Sequence, residues 1–330
     1  MPKFNVIITD FIADGLQPER ETLGDLAEIS ALNAHSESDL AGKIEAADAI
    51  MIYHNIKFTE ATIGRLKQCK LIVRCGVGFD NVAHAFARQR GIPVANVPDY
   101  GTEEIADSAI ALMLSLTRGT HFYNSRLQRG IGPWSYTPAA PIRRLRGRVF
   151  AVIGLGCIGM ATALRAKALG MRVIFYDPFK QDGYDKACGL ERAETLEALL
   201  KDALVVSIHT PLTEQTKHII NAKTLAMMPR GSFLVNTARG GCVDVSAIPA
   251  ALESGQLAGA GIDVLPEEPP QDSDPLLVAW RDPEHAAFHR LILNPHAAFY
   301  SVEGLHDMRI KGSQACRRAL LGEPPRNVVN

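Results

Sequence analysis

One stretch, residues 149–177, constrains this 330-residue chain more than any other. It reads VFAVI, then GLGCIG, then a segment of helical periodicity as far as Leu169, then Gly170 and the strand-like run RVIFY before Asp177. Five consecutive apolar residues, 149–153, suit a strand buried on both faces of a parallel sheet. Gly154, Gly156 and Gly159 have the spacing G-x-G-x-x-G, and each glycine has its own task at a dinucleotide site. Gly154 permits the tight turn, Gly156 lets the backbone reach a pyrophosphate, and Gly159 lets the helix pack close to the strand. The helix start adds N–H groups and the positive end of a dipole, so Cys157 and Ile158 belong to the expected phosphate site. Gly170 is the helix stop. Asp177 follows Gly159 by 18 residues, where a carboxylate can accept hydrogen bonds from the adenosine ribose. Its charge opposes a 2′-phosphate and no Arg follows it directly, so NAD is expected rather than NADP. Glycine triplets also occur in ordinary turns. The strand before, the helix after and the acid at the next strand end together favour the cofactor.

Around this unit the chain alternates strand-like and helix-like segments. Apolar runs at 4–9, 48–53, 71–74 and 94–97 predict strands, with helices from Thr59 to about Gln68 and from Asn81 to about Arg90. Such alternation means a parallel sheet, here of flavodoxin-like type, with ligands expected at the strand ends in the turns 53–55 and 75–79. Thr102 caps a long helix whose Ile105, Ala109, Leu112, Met113 and Leu116 repeat at helical spacing, a stripe for core or dimer packing. After Asp177, strands are expected at 204–209, 232–236, 258–264 and 291–293, and helices after Thr195, after Asn221 and from Val245. The last helix, about 301–321, is expected to pack back on the first domain. The fold class is therefore α/β, with two doubly wound parallel-sheet domains: a Rossmann NAD-binding domain at 101–296 and a discontinuous flavodoxin-like domain at 1–100 and 297–330. Hinges are expected near 98–102 and 295–296.

Composition closes off several other functions. The chain is 47% hydrophobic and 22% charged, with a formal net charge of −1, which gives no bulk electrostatic case for nucleic acid or an anionic membrane. The basic run Arg143, Arg144, Arg146 and Arg148 reads as a solvated approach to the first Rossmann strand. No apolar run approaches the roughly 18 residues of a membrane span. The N-terminus starts as a strand, without the apolar core of a signal peptide. The six cysteines form no C-x-x-C and no Cys/His ligand spacing, so reduced thiols, a cytoplasmic location and no metal are expected.

Three further segments carry polar residues at strand ends that burial alone would not select: NTARG at 236–240, DVLPEEPP at 263–270 and NPHAAF at 294–299. With the glycine fingerprint, they resemble the D-isomer-specific 2-hydroxyacid dehydrogenase family over nearly the whole chain. Within it the likeness is strongest to the C-terminal-binding protein branch, in MIYH at 51–54, VRCGVGFDNV at 73–82, EEIADS at 103–108, ALRAKALG at 163–170, VNTARGG at 235–241 and PHAAFYS at 295–301.

The resemblance implies reversible hydride transfer between NADH and a small 2-keto acid, with His296 as general acid/base. An imidazole suits proton transfer near neutral pH, and a carboxylate beside it fixes the ring and favours its charged form. The family pattern puts that carboxylate on Glu268, directly before Pro269, with Glu267 the other possibility. Arg239 would bind the substrate carboxylate or keto oxygen with its planar fork. The backbone of Val77 and Gly78 would receive the carboxylate, and Tyr53, His54, Arg74 and Phe299 would line the pocket. The dinucleotide would also meet Thr210, Pro211, Thr237, Ala238 and Asp263, the last through the nicotinamide amide. A homodimer through residues 103–126 is implied. Each residue has a plainer reading, as a satisfied core histidine, a salt-bridge arginine or a solvated loop acid. Phe299 stands where this branch carries Trp, and the segment 271–291 is longer than usual there. A rival from another class is an NAD(H)-sensing, co-repressor-like interaction protein with little turnover.

Overall fold

The computed structural model describes residues 3–330. The chain divides into two compact units, one of residues up to Gly101 together with Tyr300–Asn330, the other Thr102–Phe299.

The first unit holds a five-stranded parallel sheet in the order β2-β1-β3-β4-β5, with β1 Phe4–Ile8, β2 Ala27–Ala31, β3 Ala49–Ile52, β4 Leu71–Arg74 and β5 Val94–Asn96. This is the flavodoxin-like winding. β3 and β4 are buried at every residue, so β3 reads as an unbroken apolar run, and β4 does so as far as its last residue, Arg74. β2, with the sequence AEISA, lies on the sheet edge and alternates between covered and exposed residues; it has no apolar run to betray it. The helix Val302–Leu320 packs on β3, β4 and the helix Gln17–Leu23. A methyl group on its Gly312 would lie 2.8 Å from Cys75 Sγ and 3.0 Å from Met51 Cε, so the glycine sets the close approach. The buried Arg309 ties the same helix down. It donates to Glu19 Oε1 and Oε2, each at 2.7 Å, and to Asp14 Oδ2 and Oδ1 at 2.6 and 2.8 Å. Two expected helices are shorter than the sequence suggests, at Glu60–Gly64 and His84–Gln89. Asn81 does not start the second; its side-chain amide donates to Tyr53 O at 2.8 Å and Ile56 O at 2.9 Å.

The second unit holds a seven-stranded parallel sheet, β12-β11-β10-β9-β6-β7-β8. Its strands are β6 Val149–Ile153, β7 Arg172–Tyr176, β8 Glu191–Arg192, β9 Ala203–Ile208, β10 Ser232–Asn236, β11 Leu257–Ile262 and β12 Leu291–Leu293. Counting β6 as first, the order is the Rossmann 3-2-1-4-5-6 extended by β12. The helix Thr102–Thr117 packs against the helix Cys157–Ala168 and against β10 and β11, and its Ala109, Leu112 and Met113 are buried, so its apolar stripe is core. Thr195 and Asn221 cap their helices as their side chains accept from Ala198 N and from Lys223 N and Thr224 N. Within 271–291 lies a helix, Pro275–Arg281, capped by Asp274 and burying Leu276 and Leu277. None of the described helices is long and apolar enough to cross a membrane.

Candidate active site

The three glycines of the β6 turn differ in what surrounds them. Gly154 has φ +86°, and a Cβ there would lie 2.7 Å from Thr210 Cγ2 and 2.9 Å from His209 O. A Cβ on Gly159 would lie 2.1 Å from Gly154 O, well inside van der Waals contact. Gly156 has an ordinary φ of −74° and nothing within 4 Å of a Cβ. The inner glycines thus serve packing, and Gly156 faces open space. It is also the N-cap of the helix Cys157–Ala168, which no side chain caps, so the first-turn N–H groups are offered to an anion. Asp177 Oδ2 accepts from Leu155 N at 2.9 Å and Oδ1 from Phe179 N at 3.0 Å. The carboxylate therefore pins the glycine loop to the end of β7 while retaining lone pairs for a ribose hydroxyl. Thr237 Oγ1 is buried with no hydrogen-bond partner among the described residues. A turn closed at Gly154 and Gly159 and open at Gly156, with an orphaned buried hydroxyl just after β10, fits a dinucleotide.

His209, unremarked in the sequence, lies beneath this loop. Its Nε2 is 2.8 Å from Ser207 Oγ, and burial pushes the imidazole down to about 3. Only its position after a buried strand could have signalled it.

β10, β11 and β12 are neighbours, so the segments after them adjoin. Buried Asn236 shapes the first turn: its Oδ1 accepts from Ala238 N at 3.1 Å and its Nδ2 donates to Arg239 O at 3.0 Å. Arg239 Nη1 donates to Ala238 O at 2.8 Å. A Cβ on Gly240 would lie 2.0 Å from the carbonyl carbon of Leu265, so glycine there brings the 239–241 turn against the loop that carries Glu268. Asp263 is 1% exposed. Its Oδ1 accepts from Ala297 N at 3.0 Å and Ala298 N at 3.1 Å, its Oδ2 from Ala298 N at 3.1 Å, and its backbone oxygen from His296 N at 2.8 Å. Burial raises its carboxyl above the ordinary range, against the opposing pull of those amides and of His296. Asp263, expected against the nicotinamide, holds the His296 turn from inside. His296 needs that hold, because its φ of +54° is a left-handed conformation rare outside glycine.

Thus positioned, His296 Nδ1 lies 2.6 Å from Glu268 Oε2, and Glu268 Oε1 accepts from Leu265 N at 2.7 Å. Glu267 points elsewhere, accepting from Gln271 Nε2 at 3.4 Å. The ring of Phe299 stands edge-on to His296, centroids 6.1 Å apart. Glu268, His296 and Phe299 are therefore in contact, and the turn that carries Arg239 adjoins theirs in the second unit.

The first unit carries the other expected substrate residues, and two are arranged differently. Tyr53 is 0% exposed; its ring fills the core below the loop, packed on Phe11 with centroids 5.4 Å apart. It is therefore no open pocket wall. Burial accordingly raises its phenol well above the usual value. Asp10 anchors the loop, Oδ1 accepting from Tyr53 N at 2.9 Å and Oδ2 from Asn55 N at 2.8 Å. Half-buried His54 and exposed Asn55 follow Tyr53 in this loop. Arg74 is also not splayed outward. It is 6% exposed, its Nη1 donates to Cys75 O at 3.1 Å, and that nitrogen lies 1.6 Å from where a Cβ on Gly76 would be. Its guanidinium thus underlies the turn that ends in Val77 and Gly78, and Gly76, with φ +144°, leaves it room. Among the described residues, no cluster of His, Cys, Asp and Glu could hold a metal ion.

A Rossmann sheet with this glycine turn, and an Arg, a Glu and a His on its strand ends, defines the class of dinucleotide-binding proteins. Residues 110–298 match the family description "D-isomer specific 2-hydroxyacid dehydrogenase, NAD binding domain", and the chain belongs to that family, the one its motifs resemble. It is 31% identical to C-terminal-binding protein 1 of Caenorhabditis elegans over 94% of its own length and 43% of that protein. It is 33% identical to D-3-phosphoglycerate dehydrogenase of Methanocaldococcus jannaschii over 93% of its length and 56% of that protein. The chain thus spans about half the length of these curated relatives. The structure of D-lactate dehydrogenase from Aquifex aeolicus, solved with NAD and lactic acid, is 27% identical, with a TM-score of 0.82 over 97% of this chain and 96% of that one.

Proposed function

We propose that this protein is an NAD-dependent D-2-hydroxyacid dehydrogenase acting on a small 2-keto acid. The observation that carries the reading is the 2.6 Å contact between His296 Nδ1 and Glu268 Oε2 on turns that adjoin Arg239. NADH, when bound, supplies the hydride for the carbonyl carbon. Glu268 engages Nδ1, so His296 exchanges its proton with the substrate oxygen at Nε2. It gives the proton during reduction and takes it back during oxidation. The carboxylate orients the ring. Arg239 holds the substrate carboxylate or keto oxygen with a fork that a lysine cannot reproduce. The backbone of Val77 and Gly78, with His54, receives the carboxylate from the first unit, and Arg74 braces that turn. Phe299 walls the pocket without an indole N–H. Cys157 and Ile158 meet the pyrophosphate, Asp177 the ribose, and Thr210, Pro211, Thr237 and Ala238 the remainder of the dinucleotide. A cytoplasmic homodimer through residues 103–126 completes the reading.

The likeness to C-terminal-binding protein 1 favours a second reading, a dinucleotide-sensing interaction protein. Steady-state turnover with NADH and a panel of 2-keto acids separates the two. Saturable NADH oxidation on at least one keto acid is expected. An NADH-dependent change of assembly with no turnover on any of them would overturn the enzyme reading in favour of the second.

A further inference from the structure

In the turn after β4, two successive carbonyls are drawn to the same side. Val97 N donates to Gly76 O at 3.1 Å, and Asn96 Nδ2 donates to Val77 O at 2.7 Å. Asn96 is the last residue of β5 and Val97 follows it, so both carbonyls point toward β5. The two peptide bonds are trans, and across a trans peptide the N–H points opposite to the C=O. The N–H groups of Val77 and Gly78 therefore face away from β5, on the side of β3, the other neighbour of β4. Among the described residues neither N–H has an acceptor. Successive N–H groups turned to one side make a concavity suited to an anion.

The two carbonyls are held by different means. Gly76 O is held by a main-chain N–H, which every residue but proline has at position 97. Val77 O is held by a side chain, so there the residue type decides. Asn96 is itself fixed in place. Its backbone N donates to Asn327 O at 3.1 Å, and beside it Val329 N donates to Val94 O at 2.8 Å and Val94 N to Asn330 Oδ1 at 2.9 Å. Residues 327–330 thus lie along β5, with an antiparallel bridge between Ala95 and Val328, and cover an edge of the kind that is otherwise open to other chains. Beneath the turn, the Arg74 guanidinium adds positive charge, its Nη1 donating to Cys75 O at 3.1 Å.

We infer that Asn96 is a positioning residue for the substrate: by holding Val77 O it sets the Gly78 N–H beside that of Val77, as a preformed pair of donors for the carboxylate of a 2-keto acid. This deepens the dehydrogenase reading and rests on it. Asn96 acts through the peptide and not by touching the substrate. Without its donor, Val77 O loses its partner, the peptide is free to rotate, and the Gly78 N–H no longer meets the anion. What is lost is one hydrogen bond to a charged group, worth at least ~10-fold in affinity.

The test compares the full chain with Asn96→Leu, since leucine has nearly the shape of asparagine but no donor and no charge. Reduction of pyruvate and of its neutral counterpart pyruvamide is followed, with NADH affinity by calorimetry. Expected is a KM for pyruvate raised at least ~10-fold, with kcat lowered less than about 3-fold and the NADH Kd changed less than about 2-fold. The preference for acid over amide in kcat/KM should fall at least ~10-fold, because only the acid carries the anion. Asn96→Ala, which merely truncates the side chain, should give the same pattern if the leucine variant does not fold. An unchanged KM for pyruvate, an equal loss on acid and amide, or a collapse of NADH affinity would overturn the inference. A parent protein that reduces no keto acid refutes the dehydrogenase reading instead. Oxamate titrated into the NADH-saturated proteins then decides on Asn96, as it does if pyruvate alone is not reduced. A Kd at least ~10-fold weaker in the variant supports the role; an equal Kd, or no binding to the parent, overturns it.

Discussion

A methyl group placed on Gly156 and one placed on Gly159 should have different effects on the empty and the loaded protein. On Gly159 the new carbon would lie 2.1 Å from Gly154 O and 3.3 Å from His209 Cβ. A carbon and a carbonyl oxygen need more than 3 Å, so the helix Cys157–Ala168 must move about 1 Å off β6. Overpacking of that kind costs about 1–3 kcal/mol, or several degrees in the unfolding of a unit this size. On Gly156 the carbon meets nothing within 4 Å, and φ is −74°. Alanine is a poorer N-cap than glycine, but it also restricts the unfolded chain by about 0.4–1 kcal/mol, and the two effects nearly cancel. If the pyrophosphate lies against Gly156, that methyl group takes its place and NADH affinity should fall at least ~10-fold, about 1.4 kcal/mol. Thermal unfolding without dinucleotide and calorimetric NADH titration, on both alanine variants, give the four readings. Gly159→Ala should lose stability and affinity together; Gly156→Ala should lose affinity alone. A Gly156→Ala protein that binds NADH like its parent would refute the assignment of the pyrophosphate to this turn. An unchanged melting temperature for Gly159→Ala would refute the packing role of that glycine.

Other measurements address the remaining groups. Asp177→Ala should weaken NADH binding and narrow the NADH/NADPH preference, and equal use of both cofactors by the parent protein would remove Asp177 from its role. Arg239→Lys should lose at least ~10-fold in kcat/KM, about 1.4 kcal/mol of transition-state binding, with NADH affinity retained; a collapse of NADH affinity in calorimetry would make Arg239 structural. Keto-acid reduction consumes a proton and should slow as pH rises, while hydroxy-acid oxidation should speed up. Glu268→Gln replaces the carboxylate 2.6 Å from His296 Nδ1 and should lower kcat/KM for reduction at least ~10-fold with NADH affinity retained, and unchanged turnover would exclude Glu268 as the partner that acts on His296. His209 is held neutral to about 3, against about 6.5 when unfolded, so its contribution is full above pH 6.5 and is lost as pH falls. Between pH 6.5 and 5 that is at most about 2 kcal/mol; His209→Gln should flatten the corresponding drop in unfolding temperature, and an unaltered pH dependence would contradict it.

The Rossmann turn was legible because its requirements are local. The strand β6, the glycine spacing, the helix stop at Gly170 and the acid at the end of β7 lie within 29 residues, 149–177. Each of them answers to backbone geometry or to the reach of a single turn. The central strands of both sheets could be read for the same kind of reason: with both faces covered, they need apolar residues throughout. The edge strands β2 and β8 have no such requirement and left no run to find. The motifs also named the polar turns after β10, β11 and β12, but not how those turns hold one another. That Gly240 lets the Arg239 turn touch Leu265, and that Asp263 fastens the amides around His296, depends on strands brought side by side by the fold. The choice of Glu268 over Glu267 rests in the sequence on the family pattern alone; the physical reason, that the loop bends Glu268 toward His296 and Glu267 toward Gln271, is visible only in the fold. Tyr53 and Arg74 show the limit most clearly. Their residue types suit a substrate pocket, yet the core beneath β3 takes the tyrosine ring and the turn after β4 folds over the guanidinium. Arg309 finds Glu19 across 290 residues of sequence, a distance over which no pattern carries information and only packing of the last helix onto the first unit decides the partner.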